Sequence, residues 1–226
     1  MLAWASIVRT IEKSGLAAHG AFALADDERK GELADVATMA LVGLGGRRGW
    51  AAFSASPEVE DGAADPLDRW SRRVVDGLAV ELGARAFYPF DGPPHRPFQR
   101  WARRAAPMYA SPLGLLIHRR DGLWRGYRGA LGFVERLAIP PVRAGRSPCE
   151  TCLARPCLSA CPVGAFTGAS YDVAACAKHL SGPAGRVCMA GGCLARRACP
   201  VGVRGAQEPS EAAFHMRAFL NSHRPA

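Results

Sequence analysis

Residues 149–164 read CETCLARPCLSACPVG and residues 188–202 read CMAGGCLARRACPVG. With Cys176 between them, these two stretches hold all eight cysteines of a 226-residue chain, and the 148 residues before Cys149 contain none. The first group runs Cys149-x2-Cys152-x4-Cys157-x3-Cys161-Pro162, and the second runs Cys176-x11-Cys188-x4-Cys193-x5-Cys199-Pro200. A bacterial ferredoxin run is C-x2-C-x2-C-x3-C-P, with its fourth cysteine serving the other cluster of a pair. The first group departs from it by two extra residues between its second and third cysteines, and the second group is looser. Both groups end in Cys-Pro-Val-Gly, as two copies of one cluster-binding loop would. Three close thiolates wrap one face of a cubane and a fourth arrives from elsewhere in the chain, while glycine and proline permit the tight turns. A crossed arrangement therefore assigns Cys149, Cys152, Cys157 and Cys199 to one [4Fe-4S] cluster and Cys161, Cys176, Cys188 and Cys193 to the other.

Two other uses of eight cysteines compete with this. A disulfide framework needs an oxidising compartment and a leader peptide, and charge at Arg9, Glu12 and Lys13 interrupts the amino terminus before an apolar leader segment develops. Structural zinc usually takes two C-x2-C knuckles; only one C-x2-C pair occurs, and zinc leaves the Cys-Pro endings without a purpose.

Outward from the cysteines, the chain divides. The Pro-, Gly- and Arg-rich stretch IPPVRAGRSP (139–148) reads as a linker. It separates a cysteine-free body, 1–144, from a ferredoxin-like module, 145–205, and a terminal helical segment, 206–226, with Ser210 placed as its cap. The body reads as mixed α/β. Helices are expected over 2–14, over DPLDRWSRRVVDGLAVELG with Asp65 as cap and Gly83 as stop, and over PFQRWARRAAPMY. Strands are expected in ATMALVGLGG, in ARAFYPF (84–90), and in LGLLIH and GLWRGYRGALGF on either side of the Arg119–Gly122 turn. Alternating strands and helices make an α/β sandwich the economical architecture. GLGGRRGW (43–50) is a glycine turn or a phosphate cradle, without the spacing of a dinucleotide or Walker loop. Trp70, Trp101, Trp124 and Tyr127 are either core aromatics or the walls of a flat cofactor pocket, and His118 is either a hydrogen-bonded structural histidine or a ligand.

Composition narrows the function classes. At 49% hydrophobic residues the chain can build a core, and no run approaches the roughly 20 apolar residues that span a bilayer. The reading is of a soluble, cytoplasmic chain without a membrane partner. The net charge is +9, but only Lys13, Lys30 and Lys178 among 29 basic residues are lysines. Scattered arginine pairs without a recognition-helix or RNA-binding signature do not describe a nucleic-acid surface.

The cysteine order, with CPVGAF (161–166) and YDVAAC (171–176), resembles the tail of epoxyqueuosine reductases and reductive dehalogenases over residues 149–202. That resemblance implies two [4Fe-4S] clusters beside a cobalamin-binding domain of the flavin-nitroreductase type. The body resembles the cobalamin-processing decyanase/dealkylase (CblC-like) family over residues 65–141, through DPLDRWSRRVVDGLAVEL, PPHRPFQRWARRAAPMYASP and LGLLIHRRDGLWRGYRGALGFVERLAIPP. It implies cobalamin as the ligand, with flavin the lesser alternative, and places Arg96, Arg128 and Trp124 near the cofactor, with His118 in the same stretch. The expected function is a redox protein, an oxidoreductase in which two clusters pass electrons singly to a corrin cobalt and a redox partner protein supplies them. Two alternatives stand beside it: a ferredoxin-type carrier without its own substrate, and a tRNA-modifying reductase. The general acid of epoxyqueuosine reductases has no counterpart here, which weighs against the last.

Overall fold

Strand β2 (Thr38–Leu44) is the centre of the body, and every residue from Thr38 to Gly43 is buried. A strand of small and aliphatic residues with no polar alternation requires cover on both faces. The computed structural model describes residues 3–143 and 145–223, so Leu2, Ala144 and positions 224–226 of the expected elements lie outside the described residues. The described chain forms two compact units, one of residues 1–107 with 125–144, the other of residues 108–124 with 145–226. The class is mixed α/β with two small antiparallel sheets. No helix among the described residues is long and apolar enough to cross a membrane.

In the first unit, a four-stranded sheet has the order β1-β2-β6-β3, with β1 Leu16–Ala23, β3 Arg85–Phe87 and β6 Tyr127–Phe133. All neighbours are antiparallel, and Ala40 of β2 stands opposite Ala21 on one side and Leu131 on the other. Helix α1 (Trp4–Lys13) buries Ile7 and Ile11 completely. Helices α2 (Gly46–Ser54) and α3 (Pro57–Glu60) follow β2, so the glycine-rich stretch 43–50 turns directly into a helix. The long helix α4 (Pro66–Leu82) buries Leu67, Trp70, Val75, Leu78 and Leu82 and packs on β6 and β3. Helix α5 (Phe98–Ala105) packs on β1, where a Cβ at Gly20 would stand 2.1 Å from the Ala105 carbonyl oxygen. Trp70 lies against Phe53, and Trp101 lies between Phe87 and Phe98. Both tryptophans are core residues, 2% and 6% exposed.

Several expectations are corrected here. Gly83 ends α4 in a left-handed conformation as expected, but the Asp65 side chain does not cap it. Asp65 itself is left-handed, and its carbonyl oxygen accepts the Asp68 and Arg69 amides. Helix α5 stops at Ala105 instead of reaching Tyr109, because Pro107 holds Ala106 in extended backbone. The strand in 84–90 shortens to three residues, and β1 was not foreseen because its alanines carry no β-pattern. At the carboxyl end Glu208, not Ser210, occupies the cap position, and Ser210 lies inside the helix.

The second unit begins with a hairpin, β4 (Met108–Ala110) and β5 (Leu116–His118). Expected as one helix end and one strand of a different hairpin, these residues pair with each other. Gly114, at φ +73°, lets the chain reverse between Ser111 and Leu115. The backbones of His118 at the end of β5 and Gly122 pair as an isolated bridge across the 119–122 turn, and β6 belongs to the other sheet. After the hairpin come short helices: α6 (Pro148–Thr151), α7 (Pro156–Ser159), α8 (Val173–Ser181), α9 (Arg186–Gly191) and α10 (Leu194–Arg197). Helix α11 (Pro209–Ser222) packs against α9 and α8 and so belongs to the same unit.

Candidate metal centre

The hairpin supplies the floor of the cysteine region. Leu113, Ile117 and Leu123 are buried with Ala195 and Cys199, and Cys149, Cys157, Cys161 and Cys193 pack against that cluster. The 119–122 turn that follows β5 touches the second Cys-Pro-Val-Gly loop so closely that only glycine fits on either side. A Cβ at Gly202 would stand 2.2 Å from the Asp121 carbonyl carbon, and one at Gly122 would stand 2.0 Å from the Val201 carbonyl oxygen. Both motif glycines are left-handed, Gly164 at +59° and Gly202 at +73°. The two copies thus share a backbone turn as well as a sequence, and α7 packs against α10, the helices that lead into the two Cys-Pro endings. Ser147 caps α6 and accepts the Cys149 amide, with Glu150 returning toward the Ser147 amide.

All eight cysteines are free thiols, so the described residues contain no disulfide. Their electrostatic neighbours sort them into two fours. Cys149 lies in the field of Cys199, Cys157 and Cys152, and Cys157 in that of Cys199 and Cys152. Cys176 lies in the field of Cys193 and Cys161, Cys188 in that of Cys161 and Cys176, and Cys193 in that of Cys161 and Cys188. Every neighbour named belongs to the same four, and the fours are those of the crossed arrangement. The second four line a single cleft together with Pro162, Phe166, His179, Leu180 and Met216. Burial first, and mutual repulsion after it, pushes the Cys149, Cys157, Cys176, Cys188 and Cys193 thiols up. Metal-free, these sulfurs hold their protons; a bound cation would displace them.

Among the described residues, no three Cys, His, Asp or Glu side chains converge as they would on one metal ion. Each cysteine of a cubane would bind a different iron, so its four sulfurs would stand around a cage rather than around a point. Four thiolates on one zinc would lie about 2.3 Å from a common centre. The thiol chemistry and the fourfold lining of the cleft fit a cage.

Several polar groups at the cysteines escaped the sequence reading. The Ala165 amide donates to Cys161 Sγ at 3.4 Å, His179 Nε2 stands 3.9 Å from Cys188 Sγ, and burial first, with the neighbouring Cys176 after it, pushes the Tyr171 hydroxyl well up in pKa. Arg196, three residues after Cys193, is desolvated and pushed down in pKa, with Cys193 and Glu211 opposing that shift. It donates twice to the Leu123 carbonyl and once to Gln207, and its guanidinium stacks 4.5 Å over Trp124. The spacing Cys193-x2-Arg196 and the tyrosine in YDVAAC were visible, but nothing in a linear pattern says which side chain turns toward a sulfur.

The four residues proposed for the cofactor fall in different units. His118 and Trp124 belong with the cysteines. His118 is 3% exposed and its Nδ1 stands 2.9 Å from the Asp121 carboxylate and 3.1 Å from the Asp121 amide, which locks the hairpin turn. Trp124 lines a second cleft with Cys193, Arg196, Arg197 and His215. Arg96 and Arg128 belong to the first unit and converge on the segment Phe87–Asp91. Arg96 forks between Glu32 at 2.8 Å and Asp91 at 2.6 Å. Arg128 pairs with Asp68, donates to Ser71 Oγ at 2.9 Å and stands over Phe90. Arg72 joins them, pairing with Asp91 and stacking 4.2 Å over Tyr88. Burial raises the Asp91 carboxyl, but hydrogen bonds from Arg72 and Arg96 outweigh it and hold the group low. These guanidinium groups are already answered by carboxylates of the chain, so a ligand anion would have to displace one. No family model matches the chain, and no curated protein or solved structure matches it.

Proposed function

We propose that the chain is an iron–sulfur redox protein that moves electrons one at a time through two [4Fe-4S] clusters. Cys149, Cys152, Cys157 and Cys199 would hold one, and Cys161, Cys176, Cys188 and Cys193 the other. The observation that carries the reading is the sorting of eight free thiols into two fours, each built from both cysteine groups. Bound clusters would supply reversible one-electron storage at potentials that hydrogen bonds and burial tune. The protein's own part is to fix eight sulfurs, exclude water with Leu113, Ile117 and Leu123, and present the Ala165 amide and His179 to the ligands.

Cobalamin is the acceptor proposed for the body, and the resemblance over 65–141 supports it. Pairing of Arg96 and Arg128 with carboxylates favours the second reading, a ferredoxin-type carrier that delivers electrons to a partner protein without binding a corrin.

Anaerobic purification with iron and sulfide analysis tests the first step. The expected result is about eight irons per chain, with Cys161→Ala and Cys199→Ala each losing about half and abolishing different EPR signals. Colourless, iron-free protein overturns it. Hydroxocobalamin added to the loaded protein tests the second step. Retention of the corrin and bleaching of its Co(III) spectrum under dithionite support cobalamin; a brown protein that never retains corrin leaves the carrier.

A further inference from the structure

Apart from its four cysteines, the cleft of the second four thiols is lined by apolar residues such as Phe166, Leu180 and Met216. Among the described residues that line it, His179 alone carries a side-chain N–H or O–H. His179 lies in the last turn of α8, three residues after Cys176, so the two share one face of the helix. The chain then turns back on itself. The His179 carbonyl oxygen accepts the Gly182 amide at 3.2 Å, and a Cβ at Gly185 would stand 2.3 Å from the same oxygen. That close approach starts α9 beside the end of α8 and brings the buried Cys188 to the imidazole, with Nε2 3.9 Å from Cys188 Sγ. No other hydrogen-bond partner of the His179 ring occurs among the described residues. In a cleft of apolar walls, the ring turns its polar edge to a thiol.

We propose that His179 is a positioning residue that raises the potential of the second cluster by donating its Nε2 hydrogen to the Cys188 ligand. The inference rests on the two-cluster reading above. A free thiol can give or take the hydrogen bond, but a ligating sulfur has lost its proton and can only accept. A neutral ring must then carry its hydrogen on Nε2. Donation withdraws electron density from the sulfur and favours the reduced, more negative cluster, which is how hydrogen bonds to cluster sulfurs move a potential upward. Among apolar walls the bond is electrostatically stronger than it would be in water. The Ala165 amide adds a donor at Cys161 of the same set. It belongs to the backbone, whereas the His179 contact can be removed and restored by substitution.

The experiment is a redox titration of the anaerobically loaded full chain by EPR at one fixed pH, with iron counted in every sample. Wild type is compared with His179→Phe, which keeps a flat ring and removes the donor, and with His179→Gln, whose side-chain amide returns an N–H close to the place of Nε2. The expected result is full iron throughout and one of two midpoints moved negative in His179→Phe and returned toward the wild-type value in His179→Gln. A tenfold fall in the reduced-to-oxidised ratio at fixed potential corresponds to about 59 mV for one electron. The midpoint of the cluster that survives Cys161→Ala should stay where it was. Two unchanged midpoints at full iron overturn the proposal, and so does a shift that glutamine fails to reverse, which would belong to the bulk of the ring. Loss of half the iron from both variants also overturns it, because His179 would then hold the site together rather than tune it. Absence of iron from the wild type is a failure of the two-cluster reading instead, and is seen before any potential is measured.

Discussion

The two units are built on different physical principles. In the first, apolar side chains do the work: Phe53, Phe87, Phe133, Leu41, Leu131 and Met39 are fully buried between helices and sheet. Of the twelve largest fully buried side chains, only Ile117 belongs to the second unit. The second unit buries fewer large side chains, Met108, Leu113, Ile117, Leu123 and Leu180 among them, beside alanines and the Cys188 and Cys199 thiols, and five of its helices are nine residues or shorter. Helices this short are marginal without something to pack on. A chain segment poor in large apolar groups must draw its stability elsewhere, and bound metal is the usual source when cysteines are dense.

Removing the iron of the proposed clusters is the sharpest way to break that contrast, and it carries the largest expected effect. Oxidative stripping in the presence of a chelator should unfold the second unit and leave the first folded. Hydrogen exchange should then rise across 149–202 while β2 and α4 stay protected. Uniform protection after stripping would mean the small core suffices without metal. The converse perturbation is Phe53→Ala, which empties a site between Trp50 and Trp70. It should cost the first unit about 3–5 kcal/mol in chemical denaturation, while iron content stays at the wild-type level. Next comes Gly202→Ala, which puts a methyl group against the Asp121 backbone in a left-handed conformation. A loss of about 2–3 kcal/mol, confined to the second unit, is expected in the same assay, and hydrogen exchange should report it at the 119–122 turn.

The smallest effect is electrostatic and belongs to the first unit. The Glu58 carboxylate, 8% exposed, is held down to about 2 by its hydrogen bonds from Arg73, against the opposing effect of burial. A folded pKa below the unfolded value of 4.5 adds stability that is complete above that value. This stability is lost as pH falls from 4.5 toward 2. Glu58→Gln should flatten the acid limb of the stability profile in that window and leave it unchanged near neutrality apart from a constant offset. An acid limb that keeps its wild-type slope would assign the titration to other carboxylates.

Local signals in the chain carried over well where one residue type decides the outcome. Pro66 and Gly83 bracket α4, the apolar side of α1 faces inward, and TMALVGL is a buried strand. They failed where pairing partners had to be chosen. LGLLIH and the strand after it looked like one hairpin, yet β5 pairs backward with β4 and β6 lies between β2 and β3. Three-residue strands carry too few side chains to declare a period, and Ser111 with Gly114 closes the turn first. At the site, the eight cysteines were legible as candidates, and so was the repeated Cys-Pro-Val-Gly turn. The role of Trp124 was not, because Arg196, far along the chain, decides its company; nor was that of His118, although its partner Asp121 lies only three residues away.

Covalent order and residue type were enough to determine the inventory: which thiols exist, where glycine must turn the chain, and which helices have an apolar side. Only the tertiary structure decided that the hairpin 108–124 leaves its sequence neighbours to pack under the cysteines. It likewise decided that a histidine ring stands beside a cysteine sulfur and that two arginines of the body are neutralised in place. The reason is physical: turns and amphipathic periods are written over a few consecutive residues. Burial and hydrogen bonding, by contrast, depend on which distant segments share a volume, and no short stretch of sequence encodes that choice.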